Sequence, residues 1–228
     1  KKNYNIKEIS FYDDTFTVNR KRIKRLCDKM MSEKLKIKWS CFSRLDTINP
    51  ELLKIMKKAG CHQIMYGFES SNPETLNTIN KNIAVKKHKQ VVEWTRKAGI
   101  DVRGAFMLGS PGENRKDICN TIQYSIDLGI QYSIYNITTP FPGTLLFNQA
   151  DSKGELLHKD WNKYDLSHAI LKLPDISHSE IESLQKAAFR KFYIRPSYIV
   201  KRILSIRSVY QFKQYFKAFS GIIVRILN

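Results

Sequence analysis

The chain has 228 residues, 42% of them hydrophobic and 26% charged, with 10 Gly, 7 Pro and 4 Cys. That balance excludes a disordered, collagen-like or disulfide-stapled chain, and no apolar run approaches the roughly 20 residues of a membrane-spanning helix. The formal net charge of +18 admits two readings: an anionic partner, or a general enrichment in Lys, Asn and Ile.

Five short apolar, β-branched or aromatic runs recur along the chain, at 8–12, 37–41, 62–67, 100–108 and 131–137. Each is followed by turn residues, the pattern of buried parallel strands. Helical stretches fall between them at 19–34, 50–59, 73–80, 85–98 and 114–128. Asn49-Pro50-Glu51 and Asn72-Pro73-Glu74 read as an N-cap, a first-turn Pro and an acidic start. Lys58-Ala59-Gly60, Lys97-Ala98-Gly99 and Asp127-Leu128-Gly129 each read as a helix closed by a left-handed Gly, then a strand. Strand, helix, Gly and strand in repetition predict right-handed βαβ units on a parallel α/β sheet; an α+β domain with mixed pairing is the alternative.

Composition shifts near 150–160, where Asp151-Ser152-Lys153-Gly154 reads as a loop. The expected organisation is therefore an α/β barrel domain over 1–150 and a helical, basic extension over 151–228. Three helices are predicted in the extension, at 178–193, 197–206 and 208–226, the first opened by a capping box of Ser177 and Glu180.

In a parallel sheet or barrel the functional edge lies at the strand C-termini. The residues found there are Asp13 and Asp14, then Arg44, then Glu69 and Ser70, then Gly104 through Gly109 to Ser110-Pro111-Gly112-Glu113, then Pro140-Phe141-Pro142-Gly143-Thr144. Carboxylates suit an amine or ribose hydroxyls, Arg44 suits a carboxylate, and glycines let backbone approach a flat ring. A zwitterion carrying a sugar and an aromatic base satisfies all of these. Each residue also has a plain structural alternative: Asp13 and Asp14 as caps of the next helix, Glu69 as entry to the Pro73 helix, and Glu113 as a first-turn carboxylate.

Phe11-Tyr-Asp-Asp-Thr-Phe16, Gly67-Phe-Glu-Ser70, Gly104-Ala-Phe-Met-Leu-Gly-Ser-Pro-Gly-Glu113 and Pro140-Phe-Pro-Gly-Thr144 resemble the second- to sixth-strand motifs of radical SAM enzymes. The nearest resemblance is to the subgroup with an N-terminal cobalamin-binding domain, which Phe192-Tyr-Ile-Arg-Pro-Ser-Tyr198 also resembles. The resemblance implies a partial (β/α)6 TIM-like barrel of five strands, its first βα unit absent, binding S-adenosylmethionine across the strand ends. It assigns Asp13 and Asp14 to the methionyl amine, Arg44 to the carboxylate, Glu69 and Ser70 to the ribose or the polar end of the cofactor, and the stretch containing Gly104, Gly109, Pro111 and Glu113 to adenine. Pro140 would flank the adenine or the substrate.

The family's C-x3-C-x2-C loop, which holds a [4Fe–4S] cluster through thiolates, has no counterpart here. Cys27, Cys41, Cys61 and Cys119 are scattered, with no C-x-x-C pair; Cys41 and Cys61 read as buried core and no metal site is read from these residues. The expectation is truncation, with the cluster loop and any cobalamin domain upstream of Lys1, and 1–7 forming the tail of the first barrel helix and a turn. The chain alone is then expected to be inactive. In the intact enzyme the resemblance implies a 5′-deoxyadenosyl radical, an electron donor such as flavodoxin or ferredoxin, a small-molecule substrate whose identity is left open, lipid-like molecules included, and cobalamin-dependent methyl transfer as one outcome among several. A non-catalytic nucleotide-binding module is the alternative. An unrelated barrel hydrolase or aldolase needs a His pair or a Lys at the strand ends, and none is read there.

From Ser183 onward the chain carries ten Lys or Arg and no Asp or Glu, which a general Lys bias does not explain. Val209, Phe212, Phe216, Phe219 and Ile223 share a helical stripe over 207–226. That segment reads either as a helix docked on the barrel or as an interfacial helix on an anionic membrane; no RNA-binding motif accompanies it. Free thiols fit a cytoplasmic location, with the membrane reading placing the chain at the inner face.

Overall fold

The computed structural model describes residues 4, 6–81, 83–206 and 221. Five strands form one sheet: β1 (Glu8–Phe11), β2 (Lys38–Ser43), β3 (Cys61–Glu69), β4 (Asp101–Leu108) and β5 (Tyr132–Ile137), in the order β1-β2-β3-β4-β5. The pairs β1–β2, β2–β3 and β3–β4 are parallel. Between them run α1 (Arg20–Ser32), α2 (Pro50–Lys58), α3 (Pro73–Thr78), α4 (Val85–Lys97) and α5 (Arg115–Asp127). A consecutive order with helical crossovers is that of a (β/α) barrel; a doubly wound sheet would reverse at a switch point. The predicted α/β class and five parallel strands are thus observed.

Local chemistry sets the boundaries. The side chains of Asn49 and Asn72 accept from the backbone N–H groups of Leu52 and Glu74, with Pro at the first turn in both helices. Gly60, Gly99 and Gly129 close α2, α4 and α5 at φ of +100°, +74° and +64°. At Gly60 a Cβ would lie 2.3 Å from the Ile37 carbonyl oxygen, so both dihedral and space require glycine.

Three strands match the predicted bounds to within one residue, and two run two residues further at their C-terminal ends. β2 runs Lys38–Ser43 and not 37–41, and β3 continues to Glu69, past a register shift between Gly67 and Glu69. The sequence 145–150, for which no element is predicted, forms with Asp151 and Ser152 of the expected loop helix α6 (Leu145–Ser152), capped by the Thr144 hydroxyl accepting from Phe147 N–H. A 3₁₀ turn (Trp161–Lys163) follows, then α7 (His178–Tyr193) and α8 (Pro196–Leu204). Ser177 caps α7 as predicted, while Glu180 pairs with Arg115. The predicted helix over 208–226, and most of the segment 1–7, lie outside the described residues.

The chain forms two compact units, one of residues up to 106 with 124–134, the other of 107–123 with 135 onward. The division passes through β4 and β5. The reason is that α7 belongs with the end of β5: Gln185 Nε2 donates to the Tyr135 carbonyl at 2.7 Å, and Phe189 and Phe192 pack on the Tyr135 ring.

In the first unit one sheet face is closed by helices. Ile64, Tyr66 and Phe68 of β3 are fully buried; Tyr66 Oη hydrogen-bonds Thr95 Oγ1 of α4 at 3.0 Å, and Phe68 packs edge-on to His88 of the same helix. The opposite face is half-exposed. It carries Ser10, Ser40, Phe42, Gln63, Met65, Gly67, Glu69 and Arg103.

Candidate functional site: the strand ends

Beyond β1 the chain is a turn locked onto β2. Phe16 N–H donates to the Phe42 carbonyl at 3.1 Å, and Thr17 Oγ1 meets Ser43 Oγ at 2.5 Å and Thr47 Oγ1 at 2.6 Å. Asp13 and Asp14 sit on this turn, both exposed. Neither caps α1; Asn19 does, accepting from Arg22 N–H at 3.0 Å, so the capping alternative falls. Asp13 lies 3.5 Å from the Arg22 guanidinium. The Asp14 carboxylate has no partner among the described residues.

Arg44, expected to take a ligand carboxylate, already grips one. Its Nε and Nη2 donate to the two Asp46 carboxylate oxygens at 3.1 and 2.8 Å. That fork lowers the Asp46 pKa and raises that of Arg44. Both are surface residues, so the pair contributes little to stability.

Glu69 ends β3 at φ +64°, a left-handed conformation uncommon outside glycine. Its Oε1 accepts from Lys81 Nζ at 2.6 Å, with side chains 19% and 12% exposed. Gly67 makes room beneath them: a Cβ there would lie 2.2 Å from Glu69 Oε1 and 2.7 Å from Lys81 Nζ. A lysine therefore does stand at a strand end, contrary to the sequence reading. It arrives from the turn between α3 and α4, twelve residues along, and no local signal marks it. Ser70 is fully buried and its hydroxyl accepts from Asn72 N–H at 3.1 Å, which binds it to the entry of α3.

Gly104 also has a packing reason to lack a side chain. A Cβ there would meet Ile130, Phe106 and Phe68 side chains at 2.6 to 3.1 Å, so the glycine accommodates packing on the helix-covered face. Its neighbour Arg103 points the other way, by strand alternation. Arg103 is in register with Met65, which is in register with Phe42, and its guanidinium has no acidic partner among the described residues. Sequence reading missed this residue; the signal was its place in an otherwise apolar strand, one position off the buried set.

In the second unit the loop after β4 is a backbone construction. Gly109 stands at φ +76° against Ile181. Glu113, 2% exposed, accepts the Ser110 N–H on Oε2 at 2.9 Å, while its own N–H donates to the Ser110 carbonyl at 3.0 Å. Ser110 Oγ meets Thr138 Oγ1 at 3.0 Å, and Thr138 N–H donates to the Leu108 carbonyl. The Glu113 carboxylate braces the turn, as its structural alternative allowed. Pro111 is half-buried, and Pro140 is buried where a pocket-flanking residue was expected; its neighbour Phe141 is exposed. A cavity of about 200 Å³ opens beside Pro111 and Gly112, walled in part by Leu146, Ala150, Leu171 and Leu173.

The thiols do not fit an iron–sulfur cluster. Cys27, Cys41 and Cys61 are buried. Burial pushes the Cys27 thiol up to about 11 and the Cys61 thiol well above its usual range, which keeps protons on groups that must ligate as thiolates. Among the described residues no group of three or more His, Cys, Asp or Glu could hold a metal ion. No described helix is long and apolar enough to cross a membrane.

The radical SAM superfamily profile matches residues 1–125. An uncharacterized methyltransferase of Pyrococcus horikoshii is 37% identical over 200 residues, covering 88% of this chain and 44% of that protein. The cobalamin-dependent S-adenosylmethionine radical enzyme OxsB, with aqua-cobalamin and S-adenosylmethionine bound, superposes with a TM-score of 0.62 at 13% identity over 99% of this chain and 40% of its own. The methyltransferase TsrM of Kitasatospora setae, with cobalamin and a [4Fe–4S] cluster bound, gives 0.59 at 14% identity, over 67% and 30%. At those identities the two structures establish the shared fold. The chain spans less than half the length of the curated relatives it matches.

Proposed function

The chain belongs to the radical SAM superfamily, and from that premise we propose that it is the S-adenosylmethionine-binding part of a cobalamin-dependent methyl-transferring enzyme. The observation that carries this reading is the half-exposed sheet face of the first unit, edged by a free carboxylate and a Glu–Lys pair. When bound, S-adenosylmethionine supplies the adenosyl and methyl groups on which the family's chemistry runs. Asp14, with Asp13 beside it, offers acceptors for the cofactor's amine. Glu69, held by Lys81, offers its second oxygen to ribose hydroxyls or to the same amine. Arg103 supplies the cation that Arg44, already engaged by Asp46, does not. The buried cysteines supply no cluster ligands, so no electron-transfer step is assigned to this chain.

Calorimetric titration of the chain with S-adenosylmethionine tests the reading. Binding is expected, weakened about tenfold by Asp14→Asn, the loss of one charge-assisted hydrogen bond, with the unfolding midpoint unchanged. An unaltered affinity in Asp14→Asn and Glu69→Gln alike would remove the assignment.

A further inference from the structure

We propose that the C-terminal part of the second unit docks on an anionic lipid surface through α8. The proposal does not depend on the cofactor reading. None of the nine residues of α8 is buried. Val200, Ile203 and Leu204 are 54%, 61% and 79% exposed, and at i, i+3 and i+4 they form one apolar stripe. A soluble helix ordinarily turns such a stripe inward.

The helix is nonetheless anchored at its start. The Arg195 guanidinium lies over the Phe192 and Tyr198 rings at 4.3 and 5.2 Å and donates to the Phe192 carbonyl at 2.8 Å. The stripe is therefore presented on a fixed base.

Charge selects the occupant. Lys201 is exposed on the same helix, as are Arg190 and Lys191 in the last turn of α7, and no Asp or Glu occurs after Glu182 through to Asn228, against ten Lys or Arg. An apolar stripe flanked by cations, with acids excluded, complements acyl chains beneath anionic headgroups. Nucleic acid is the poorer match. Its bases seek aromatic or guanidinium planes, whereas the exposed apolar side chains of α8 are aliphatic, and Tyr198 is covered by Arg195 and Arg202.

Sedimentation of the full chain with phosphatidylcholine vesicles, with and without about one-third phosphatidylglycerol, tests the proposal. Binding is expected only with the anionic lipid, and to fall steeply when salt is raised to about 0.5 M, where the screening length shortens to a few ångströms. Lys201→Gln should weaken it about fivefold, one headgroup contact. Replacing Val200, Ile203 and Leu204 together by Ser should weaken it at least about tenfold. Because these side chains are exposed, the circular dichroism spectrum should not change. Equal binding to both vesicle types, an unaffected Ser variant, stronger competition by an RNA oligonucleotide than by lipid, or no sedimentation at all would each overturn the proposal. The composition and salt comparisons use the unaltered chain and so stand even if a variant misfolds.

Discussion

The strand ends of the two units are built from different materials. In the first, side chains make the chemistry: Asp14 is free, Arg44 forks onto Asp46, and Glu69 leans on Lys81 above Gly67. In the second, the loop after β4 is made of backbone, and its one carboxylate, Glu113, is turned inward to hold Ser110. An exposed side chain can be exchanged with a change in binding and little change in stability. A buried brace cannot, because its removal leaves an unsatisfied backbone donor. The lesson is that two acidic residues in similar sequence positions, each just past a strand, serve opposite ends.

The largest effect expected is at the Glu69–Lys81 pair. Glu69→Met should cost about 3 kcal/mol by leaving a mostly covered ammonium without its partner, whereas the double variant with Lys81→Met should recover most of the loss. Urea unfolding measures both; a double variant no better than the single would mean the two side chains do not act as a pair. A comparable effect lies behind the sheet. Burial, with Lys81 adding to it, lowers the His88 pKa to about 4, and neither ring nitrogen has a hydrogen-bond partner among the described residues. The unfolded imidazole, near 6.5, binds a proton that the folded one refuses. Stability is therefore full above about pH 6.5 and declines as pH falls toward 4, by up to about 3 kcal/mol. His88→Leu should flatten that decline in acid titrations of the unfolding midpoint.

In the second unit, Glu113→Ala should cost about 2 kcal/mol, since it strips the Ser110 N–H of its acceptor in a buried turn. If cofactor affinity fell while stability held, the contrast between the units would be wrong. The smallest effect is expected at Gly109→Ala, about 1 kcal/mol in thermal unfolding, from a left-handed φ with Ile181 at 3.2 Å.

Elements with local signals were legible. The Asn49 and Asn72 caps, the Gly60, Gly99 and Gly129 exits and the Ser177 cap are written within four or five residues, and the structure has them where the sequence implies. Helix α6 was missed because its cap, Thr144, also ends a strand-end motif. The packing that surrounds Gly104 was not legible because its neighbours in space, Ile130 and Phe68, are distant in sequence.

Sequence alone determined the α/β class, the parallel order and which residues follow each strand, because periodicity, capping and glycine exits are properties of short stretches of chain. Only the tertiary structure decided which of those residues remain available. Arg44 is engaged by Asp46, Glu113 by Ser110 and Glu69 by Lys81, while Asp14 and Arg103 have no acidic or basic partner among the described residues. Pairing depends on distance across folded backbone, and side chains twelve residues or a whole strand apart carry no mark of it in the order of the letters.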